Sequence, residues 1–414
     1  MRSAAPRPFL SKMIVTLLRC VAAAAAGLQV ALAILPPVAP AWPPPAPTFA
    51  SSWFGGSLTE AEWQSPSQLA QLRRYKSVLT SWILPFGNFS NATKIASSQA
   101  VVLKGLLGAG TAVFTYQSGI LAPGFYPEVA AVVSDSATYG DFFLRAPGGA
   151  LLNDTTYCDQ TNQSPATHPG CVAYRWNFCN ASAIAYYVNV VLGGLVTDSA
   201  GRGLTYDGVF LDNSDEFTTA GAGNAHCNEA NATMSVHIAT GRFFQTKGKW
   251  PVFSTTVGGD AMAAEAAALW SAGIGFSKFW ESFSPSLGAT QQLYNETALG
   301  LPTVVHATVH GWPFSRKPPI TLTDALAAFL VATGGVSYTY FQYSTGWYDA
   351  DWRWDPLFDH EYGVAVGPPV ISQYGNSSDL GEVWVRAFTS GAVATLNCTP
   401  PSFRLAWCEG NITF

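Results

Sequence analysis

The feature that most constrains this chain is an alternation of short apolar runs with helical stretches from residue 50 onward. Most of the runs are near-continuously apolar rather than alternating, which is typical of parallel strands buried on both faces. Eight strand–helix units favour an α/β fold of the closed (β/α)8 TIM-barrel type, and a doubly wound open sheet is the alternative. The predicted strands are Ser52–Gly55, Val78–Leu84, Thr111–Tyr116, Gly208–Asp212, Pro251–Thr256, Gly275–Trp280, Thr303–Val309 and Val336–Tyr343.

The segments between the runs carry helix-start and helix-stop residues. Ser65 before Pro66 is a typical helix start, because proline is well accommodated at the first helical position. An alanine-rich helix over Ala261–Ala272 is ended by Gly273, and another is predicted over Asp324–Ala332. The pattern therefore supports helices between the strands.

Two regions depart from the regular alternation. About 90 residues separate the third and fourth predicted strands, and they hold three cysteines, so a cysteine-containing insertion after strand 3 is predicted. After the eighth strand, Glu382–Phe388 and Ala392–Asn397 predict a two-stranded extension. We therefore expect a catalytic barrel over residues 51–360 and a small C-terminal β extension over 361–414 that packs on it.

The amino terminus has the character of a secretory targeting segment. Basic residues and no acid precede Cys20–Leu35, a 16-residue apolar run interrupted only by Gln29. This run is marginal for a membrane span, and extending it back to Met13 places Arg19 inside. Residues 1–41 are thus predicted to be either a cleaved signal peptide or a retained anchor, followed by a proline-rich spacer over 42–50.

Sequons and cysteines both indicate the secretory route. Ten of the 15 asparagines begin an N-x-[ST] sequon, far more than composition explains. Apart from Cys20 the cysteines number six, an even count that fits disulfides in an oxidising compartment. We expect an extracellular or cell-surface protein or, if the anchor is retained, a type II membrane protein of the Golgi lumen. The sequons begin at Asn88, Asn91, Asn153, Asn162, Asn180, Asn231, Asn295, Asn376, Asn397 and Asn411.

The six cysteines leave the disulfide connectivity open. Cys398–Cys408 is one local pairing, and the others are expected within the segment from Cys158 to Cys227. None of the cysteines has the C-x-x-C spacing of a zinc site. The six are Cys158, Cys171, Cys179, Cys227, Cys398 and Cys408.

Composition and motifs exclude several classes of function. A net charge of −5 argues against nucleic-acid binding, which needs an excess of lysine and arginine. There is no P-loop and no G-x-S-x-G motif, and no cofactor is expected. His306 and His310, four apart on the seventh strand, form a possible metal pair, but no third ligand is apparent, so no metal is expected.

Two acidic residues end predicted strands. Asp207 and Asp212 flank the fourth strand, about 16 Å apart, and Asp212 lies at the carboxyl end, where barrel active sites form. Glu281 follows the sixth strand among aromatic residues, which should raise its pKa. Such a pair suits glycoside hydrolysis, with one carboxylate ionised and the other protonated. The structural alternatives are turn capping by Asp212 and an ion pair between Glu281 and Lys278.

Aromatic and histidine side chains near the strand ends supply candidate contacts to an oligosaccharide or polysaccharide substrate, because flat rings stack on sugar faces and polar tips suit a half-wet cleft. The candidates are Trp53, Trp280, His310, Trp312, Tyr340, Tyr343 and Trp347.

Four stretches carry a resemblance to a known group: YDGVFLDN, AYRWNFCN, YFQYS with the Trp-rich loop after it, and VRAFTSGAVATLN. They resemble the hypothetical glycosyl hydrolase families, with the fifteenth of that series the best match, and are distantly similar to α-galactosidase-like barrels. The resemblance implies a nucleophile at Asp212 and an acid/base at Glu281, where α-galactosidases have aspartate. A non-catalytic cell-surface barrel that binds glycans or serves structurally is the alternative function.

Overall fold

The computed structural model describes residues 51–53, 66–80, 101–108, 110–155, 158, 164–166, 169–196, 206–213, 228–254, 259–309, 319–333, 339–344, 354–376, 379–399 and 408–414. Its strands are β1 (Ser51–Trp53), β2 (Ser77–Thr80), β3 (Ala112–Ser118), β4 (Leu121–Pro123), β5 (Asn153–Asp154), β6 (Ala173–Arg175), β7 (Gly208–Asp212), β8 (Trp250–Ser254), β9 (Ser277–Phe283), β10 (Thr303–Thr308), β11 (Tyr340–Ser344), β12 (Val370–Asn376), β13 (Asp379–Ala387), β14 (Val393–Cys398) and β15 (Cys408–Thr413).

Its α-helices are α1 (Pro66–Leu72), α2 (Pro127–Ser134), α3 (Ser136–Tyr139), α4 (Ala181–Tyr186), α5 (Gly193–Leu195), α6 (Glu229–Thr246), α7 (Gly259–Ser271), α8 (Leu287–Ala298) and α9 (Leu322–Thr333). A π-helix, Tyr187–Leu192, joins α4 to α5, and a further helical segment spans 101–107. The 3₁₀-helices are Pro169–Cys171 and Pro356–Asp359.

Eight parallel strands form the main sheet, in the order β1-β2-β3-β7-β8-β9-β10-β11. Each predicted strand overlaps one of these eight, and the fourth, Gly208–Asp212, coincides with β7. The first and last strands of this order lie in contact, so the sheet curls round on itself. A mixed α/β architecture with a curled parallel sheet is consistent with a (β/α)8 barrel.

Rings from three strands identify the interior of the curled sheet. Phe210 of β7 lies 4.6 Å from Phe279 of β9 and 5.9 Å from Tyr116 of β3, measured between ring centroids. Strands β7 and β9 are not neighbours, so their rings can meet only on the concave side. At the start of β7, a side chain at Gly208 would place its Cβ 1.8 Å from the carbonyl oxygen of Trp250, so glycine is required there.

The predicted insertion between the third and fourth strands of the sheet holds a small sheet of its own. Strands β4, β6 and β5 pair antiparallel in that order. The Cys158–Cys171 disulfide lies beside this sheet, and Cys179 is disulfide-bonded as well. Aromatic stacking around the fully buried Trp176 gives the insertion an apolar centre that joins the main core.

The C-terminal extension has four antiparallel strands, β12 to β15 in sequence order, rather than the two predicted. The two outer strands were missed because β12 and β15 are largely exposed and carry few apolar residues. The Cys398–Cys408 pairing is confirmed, and it joins facing residues of β14 and β15. Arg386 of β13 donates to the carbonyl of Val331 at 2.7 Å and so fixes this sheet on α9.

The targeting segment (1–41) and the spacer (42–50) lie outside the described residues, as do Asn88, Asn91, Asn162 and Cys227. Within the described part of the chain, every helix is too short or too polar to traverse a bilayer. Exposed sequon asparagines are Asn153, Asn231, Asn295, Asn397 and Asn411; Asn180 is half-buried as the N-cap of α4, and only the backbone of Asn376 is described.

Candidate active site at the carboxyl end of the parallel sheet

Asp212 is the last residue of β7 and is half-buried. The hydroxyl of Tyr116 donates to Asp212 Oδ2 at 2.7 Å, and the backbone N–H of Asn213 donates to Oδ1 at 3.0 Å. The described residues place no cationic side chain within ion-pair distance of this carboxylate. Both of the described donors to this carboxylate are uncharged.

The aspartate at the opposite end of the same strand is fully engaged. Asp207 Oδ2 accepts from Lys104 Nζ at 2.6 Å and from the backbone N–H of Val113 at 2.7 Å, while Lys249 Nζ lies 3.8 Å from Oδ1. These contacts tie together the amino ends of β3, β7 and β8. Asp207 is therefore a stabilising residue of the fold.

Glu281 lies within β9, at an irregularity in its pairing with β10. Val305 pairs with Trp280, whereas Ala307 pairs with Phe283, so two residues of β9 face the single residue His306. Such β-bulges re-aim side chains and are enriched next to active sites. The side chain of Glu281 lies outside the described part of the structure, so its position is known from the backbone alone.

The strand register relates the two acidic positions. Leu211 pairs with Phe253, which pairs with Lys278, so Asp212 is level with Phe279 two strands away. Glu281 is two residues nearer the carboxyl end. With a rise of about 3.3 Å per residue and about 4.8 Å between strands, the backbones at Asp212 and Glu281 are about 12 Å apart.

The outer face of β9 is held by a buried polar cluster. Glu296 of α8 accepts from Lys278 Nζ at 2.8 Å and, through its other oxygen, from the indole N–H of Trp280 at 2.8 Å. The ammonium of Lys278 also lies 4.6 Å from the centre of the Trp280 ring. Lys278 is therefore paired with Glu296, and Trp280 faces the helical layer instead of the interior.

His306 is fully buried on the inner face of β10, and its Nε2 lies 2.8 Å from the hydroxyl of Ser344 on β11. Burial lowers the pKa of His306 to about 3, so the imidazole is neutral at physiological pH. Its neighbours towards the carboxyl end, Thr308 and Ser344, are also buried and polar. The inner face thus becomes polar towards the end of the sheet where Asp212 lies.

The remaining predicted substrate contacts are placed as follows. Tyr340 is fully buried at the first residue of β11, where it pairs with Val304 of β10. Tyr343 donates to the carbonyl of Ile320 at 2.7 Å, which ties it to the segment before α9, and burial raises the pKa of its phenol to about 12. Trp53 ends β1, but its side chain lies outside the described residues. The other three, also outside them, are His310, Trp312 and Trp347.

Two residues that contact Asp212 were not predicted from the sequence. Tyr116 was assigned only to a strand, and Asn213 was considered only in turn capping. The available signal was the position of Tyr116 near the carboxyl end of β3, whose next inward residue, Ser118, pairs with Asp212. This position predicts a contact with Asp212 only if the pairing register of β3 and β7 is known, and the sequence does not provide that register.

A search for metal ligands among the described residues finds no group of three histidine, cysteine, aspartate or glutamate side chains that could hold an ion. His310, the second member of the possible metal pair, lies outside the described residues.

No protein-family model matches the sequence, and no curated protein matches it. Among solved structures, an α-amylase from H. orenii overlaps at 10% identity with a TM-score of 0.38, covering 85% of this chain and 89% of that one. A debranching enzyme from Nostoc punctiforme overlaps at 10% identity with a TM-score of 0.43, covering 84% and 86% of the two chains.

A cyclic α-maltosyl-(1→6)-maltose hydrolase from Arthrobacter globiformis overlaps at 9% identity with a TM-score of 0.33, covering 88% of this chain and 98% of the other. Overlaps this weak in both identity and geometry assign neither an activity nor a catalytic residue to this chain.

Proposed function

We propose that this chain is a glycoside hydrolase that cleaves O-glycosidic bonds with two carboxyl groups at the carboxyl end of a (β/α)8 barrel. The observation that carries the proposal is the carboxylate of Asp212. It ends the fourth parallel strand, is half-buried, and is hydrogen-bonded by Tyr116 without a cation among the described residues. The end of the sheet where it lies is where barrel enzymes assemble their active sites.

In the proposed reaction Asp212 acts as the nucleophile or as the stabiliser of the oxocarbenium-like centre, and Glu281 acts as general acid/base. Glu281 would protonate the departing glycosidic oxygen, and its conjugate base would then activate water. Side chains that project towards each other from backbones about 12 Å apart reach carboxyl separations of about 5–9.5 Å, the range that retaining and inverting glycosidases use.

The neutral His306 supports this assignment. It lies opposite the bulge at Glu281, and a buried imidazole with a pKa of about 3 adds no positive charge to that part of the interior. His306 would therefore not act as a cationic neighbour that favours the ionised form of Glu281, and a general acid must stay protonated.

For substrate binding we propose an oligosaccharide or polysaccharide held by Trp53, His310, Trp312 and Trp347. Trp280 and Tyr343 are left out of this set because their described contacts lie with the helical layer and the segment before α9, and Tyr340 is left out because its side chain is only 1% exposed. The proposed compartment is the secretory pathway, with release to the cell exterior or retention by the amino-terminal segment. The disulfides and the exposed sequon asparagines support it.

The test is a screen of the purified, secreted full chain on a panel of aryl glycosides, repeated with Asp212→Asn and Glu281→Gln. A glycosidase loses turnover in both variants and keeps its affinity for the product sugar, which isothermal titration measures. If the unaltered protein binds sugars but cleaves no glycoside, and both variants bind equally well, the chain is a glycan-binding protein and the proposal is wrong.

A further inference from the structure

The carboxylate of Asp212 is held at both of its oxygens by groups on different strands and turns. Tyr116 donates to Oδ2 from β3, and the backbone N–H of Asn213 donates to Oδ1 from the turn after β7. We infer that Tyr116 and the left-handed backbone of Asn213 are positioning residues that fix the plane of the Asp212 carboxylate; the inference rests on the proposed catalytic role of Asp212.

Tyr116 is held where its hydroxyl can reach only a small region. It is 5% exposed, and its ring packs on Phe210, the residue two before Asp212 on the inner face of β7. The end of its strand is also anchored, since the Tyr187 hydroxyl donates to the carbonyl of Ser118 at 2.9 Å. The phenol thus approaches Oδ2 from a fixed direction.

The end of β7 is anchored to the same strand. The backbone N–H of Gly119 donates to the carbonyl of Asp212 at 2.6 Å, directly after the last register pair of β3 and β7. The main chain at Asp212 is therefore fixed, and the remaining freedom is rotation of its side chain.

Asn213 removes that freedom through its backbone. Its φ is 52°, and among the described residues the others with a positive φ are all glycines. This left-handed φ turns the chain away directly after Asp212, while the peptide N–H that follows Asp212 donates to its Oδ1. Asparagine adopts this conformation at little cost, whereas most other residues are strained in it.

The two donors have a chemical consequence for a carboxylate that attacks or stabilises an anomeric centre. Rotation of the carboxylate plane would move the reacting lone pair away from the sugar carbon, and small misplacements of a reacting group are costly in rate. With one donor on each oxygen, the plane is set before substrate arrives. Supporting residues of this kind determine whether a site is accurate enough to react.

Four variants test the inference. Tyr116→Phe removes one donor, and Tyr186→Phe is its matched control, because it removes a tyrosine hydroxyl that bonds the main-chain carbonyl of Glu128 and has no part in holding Asp212. We expect Tyr116→Phe to lower kcat about tenfold with KM within about twofold, as loss of one hydrogen bond to a charged group implies. Tyr186→Phe should leave kcat within about twofold.

Asn213→Gly and Asn213→Ala both remove the side chain, but only alanine disfavours a positive φ. We expect the glycine variant to keep the kcat of the unaltered protein and the alanine variant to lose about fivefold. An equal loss in both would mean that the Asn213 side chain acts directly, and an unchanged kcat in both the alanine and the Tyr116→Phe variants would overturn the inference.

Crystal structures of the unaltered protein, Tyr116→Phe and Asn213→Ala separate this inference from the proposed function. If the unaltered protein cleaves no aryl glycoside, the proposed function fails. The crystal structures alone then decide whether Tyr116 and Asn213 orient the Asp212 carboxylate. A carboxylate of Asp212 that is rotated or split between orientations in the two variants supports the positioning role. The same single orientation in all three structures overturns it.

Discussion

Strand β7 carries an aspartate at each end, and the two have opposite surroundings. Asp207, just before the strand, is paired with Lys104, bonded by the N–H of Val113 and approached by Lys249. Its carboxylate joins three neighbouring strands at the amino end of the sheet. The charge there is neutralised, and the hydrogen bonds stabilise the fold.

Asp212, five residues later, has no such neutralisation among the described residues. Its contacts are a tyrosine hydroxyl and the N–H of the following residue, both uncharged donors. Uncharged donors orient a carboxylate without cancelling its charge. Barrel proteins separate stability and chemistry between the two ends of their strands, and the proposed role of Asp212 would place both on this one strand.

The largest expected effect concerns activity. Asp212→Asn should lower kcat on an aryl glycoside by at least about a thousandfold, because an amide neither attacks nor stabilises the developing positive charge. Asp207→Asn, the matched change at the other end of β7, should leave kcat per folded molecule within about twofold. Steady-state kinetics on both variants measure the difference, and equal losses would break the comparison.

For stability, the change at Asp207 is expected to have a larger effect than the change at Asp212. Asp207→Asn should lower the free energy of unfolding by about 2 kcal/mol, because it leaves Lys104 without its partner in a partly exposed site. Asp212→Asn should cost less than about 1 kcal/mol, since an amide oxygen still accepts from Tyr116. Urea unfolding of both variants measures this, and a larger cost at Asp212 would contradict the distinction.

The buried histidine at the carboxyl end predicts an acid dependence. Burial depresses the pKa of His306 to about 3 from an ordinary 6.5, so between these values the unfolded chain binds a proton that the folded chain does not. The stability of the protein is therefore not reduced by His306 above about pH 6.5. Below that pH, the free energy of unfolding falls by up to about 1.4 kcal/mol per pH unit towards pH 3.

The control for this prediction is His306→Gln, which keeps a polar partner for Ser344 but cannot titrate. Urea unfolding between pH 6.5 and pH 4.5 should show a shallower loss of stability in the variant than in the unaltered protein. Identical slopes would mean that His306 does not set the acid dependence.

The smallest expected effect separates the two lysines at Asp207. Lys104→Met should cost about 1 kcal/mol and Lys249→Met a few tenths, because their ammonium groups lie 2.6 Å and 3.8 Å from the carboxylate at partly exposed sites. Thermal unfolding of both variants measures the order. A larger cost for Lys249 would show that distance does not rank these contacts.

The strand order was predictable from the sequence because strands buried on both faces are continuous apolar runs bounded by polar segments. The strand ends were less so. Thr111–Tyr116 was predicted where the structure has Ala112–Ser118, and Gly275–Trp280 where it has Ser277–Phe283. Strand ends depend on which neighbouring residues are available to pair, and that is a property of the assembled sheet.

The candidate acids were chosen because each was expected at the end of a strand; Asp212 does end β7, whereas Glu281 lies inside β9, two residues before its end. The side of the sheet on which each aromatic side chain lies could not be predicted in the same way. Trp280 and Glu281 are adjacent in one strand, so alternation opposes placing both in one cleft, and Trp280 proved to bond Glu296 on α8. Tyr116 escaped notice because its link to Asp212 depends on the register of two strands 96 residues apart.

The central claim, that Asp212 and Glu281 work as a pair, is tested most directly by the separation of their carboxyl groups in a crystal structure of the full chain. The account predicts that both groups face one water-filled cleft at a separation of about 5–9.5 Å. Carboxyl groups more than about 12 Å apart, or a Glu281 carboxyl enclosed by apolar side chains with no path to solvent, would contradict it.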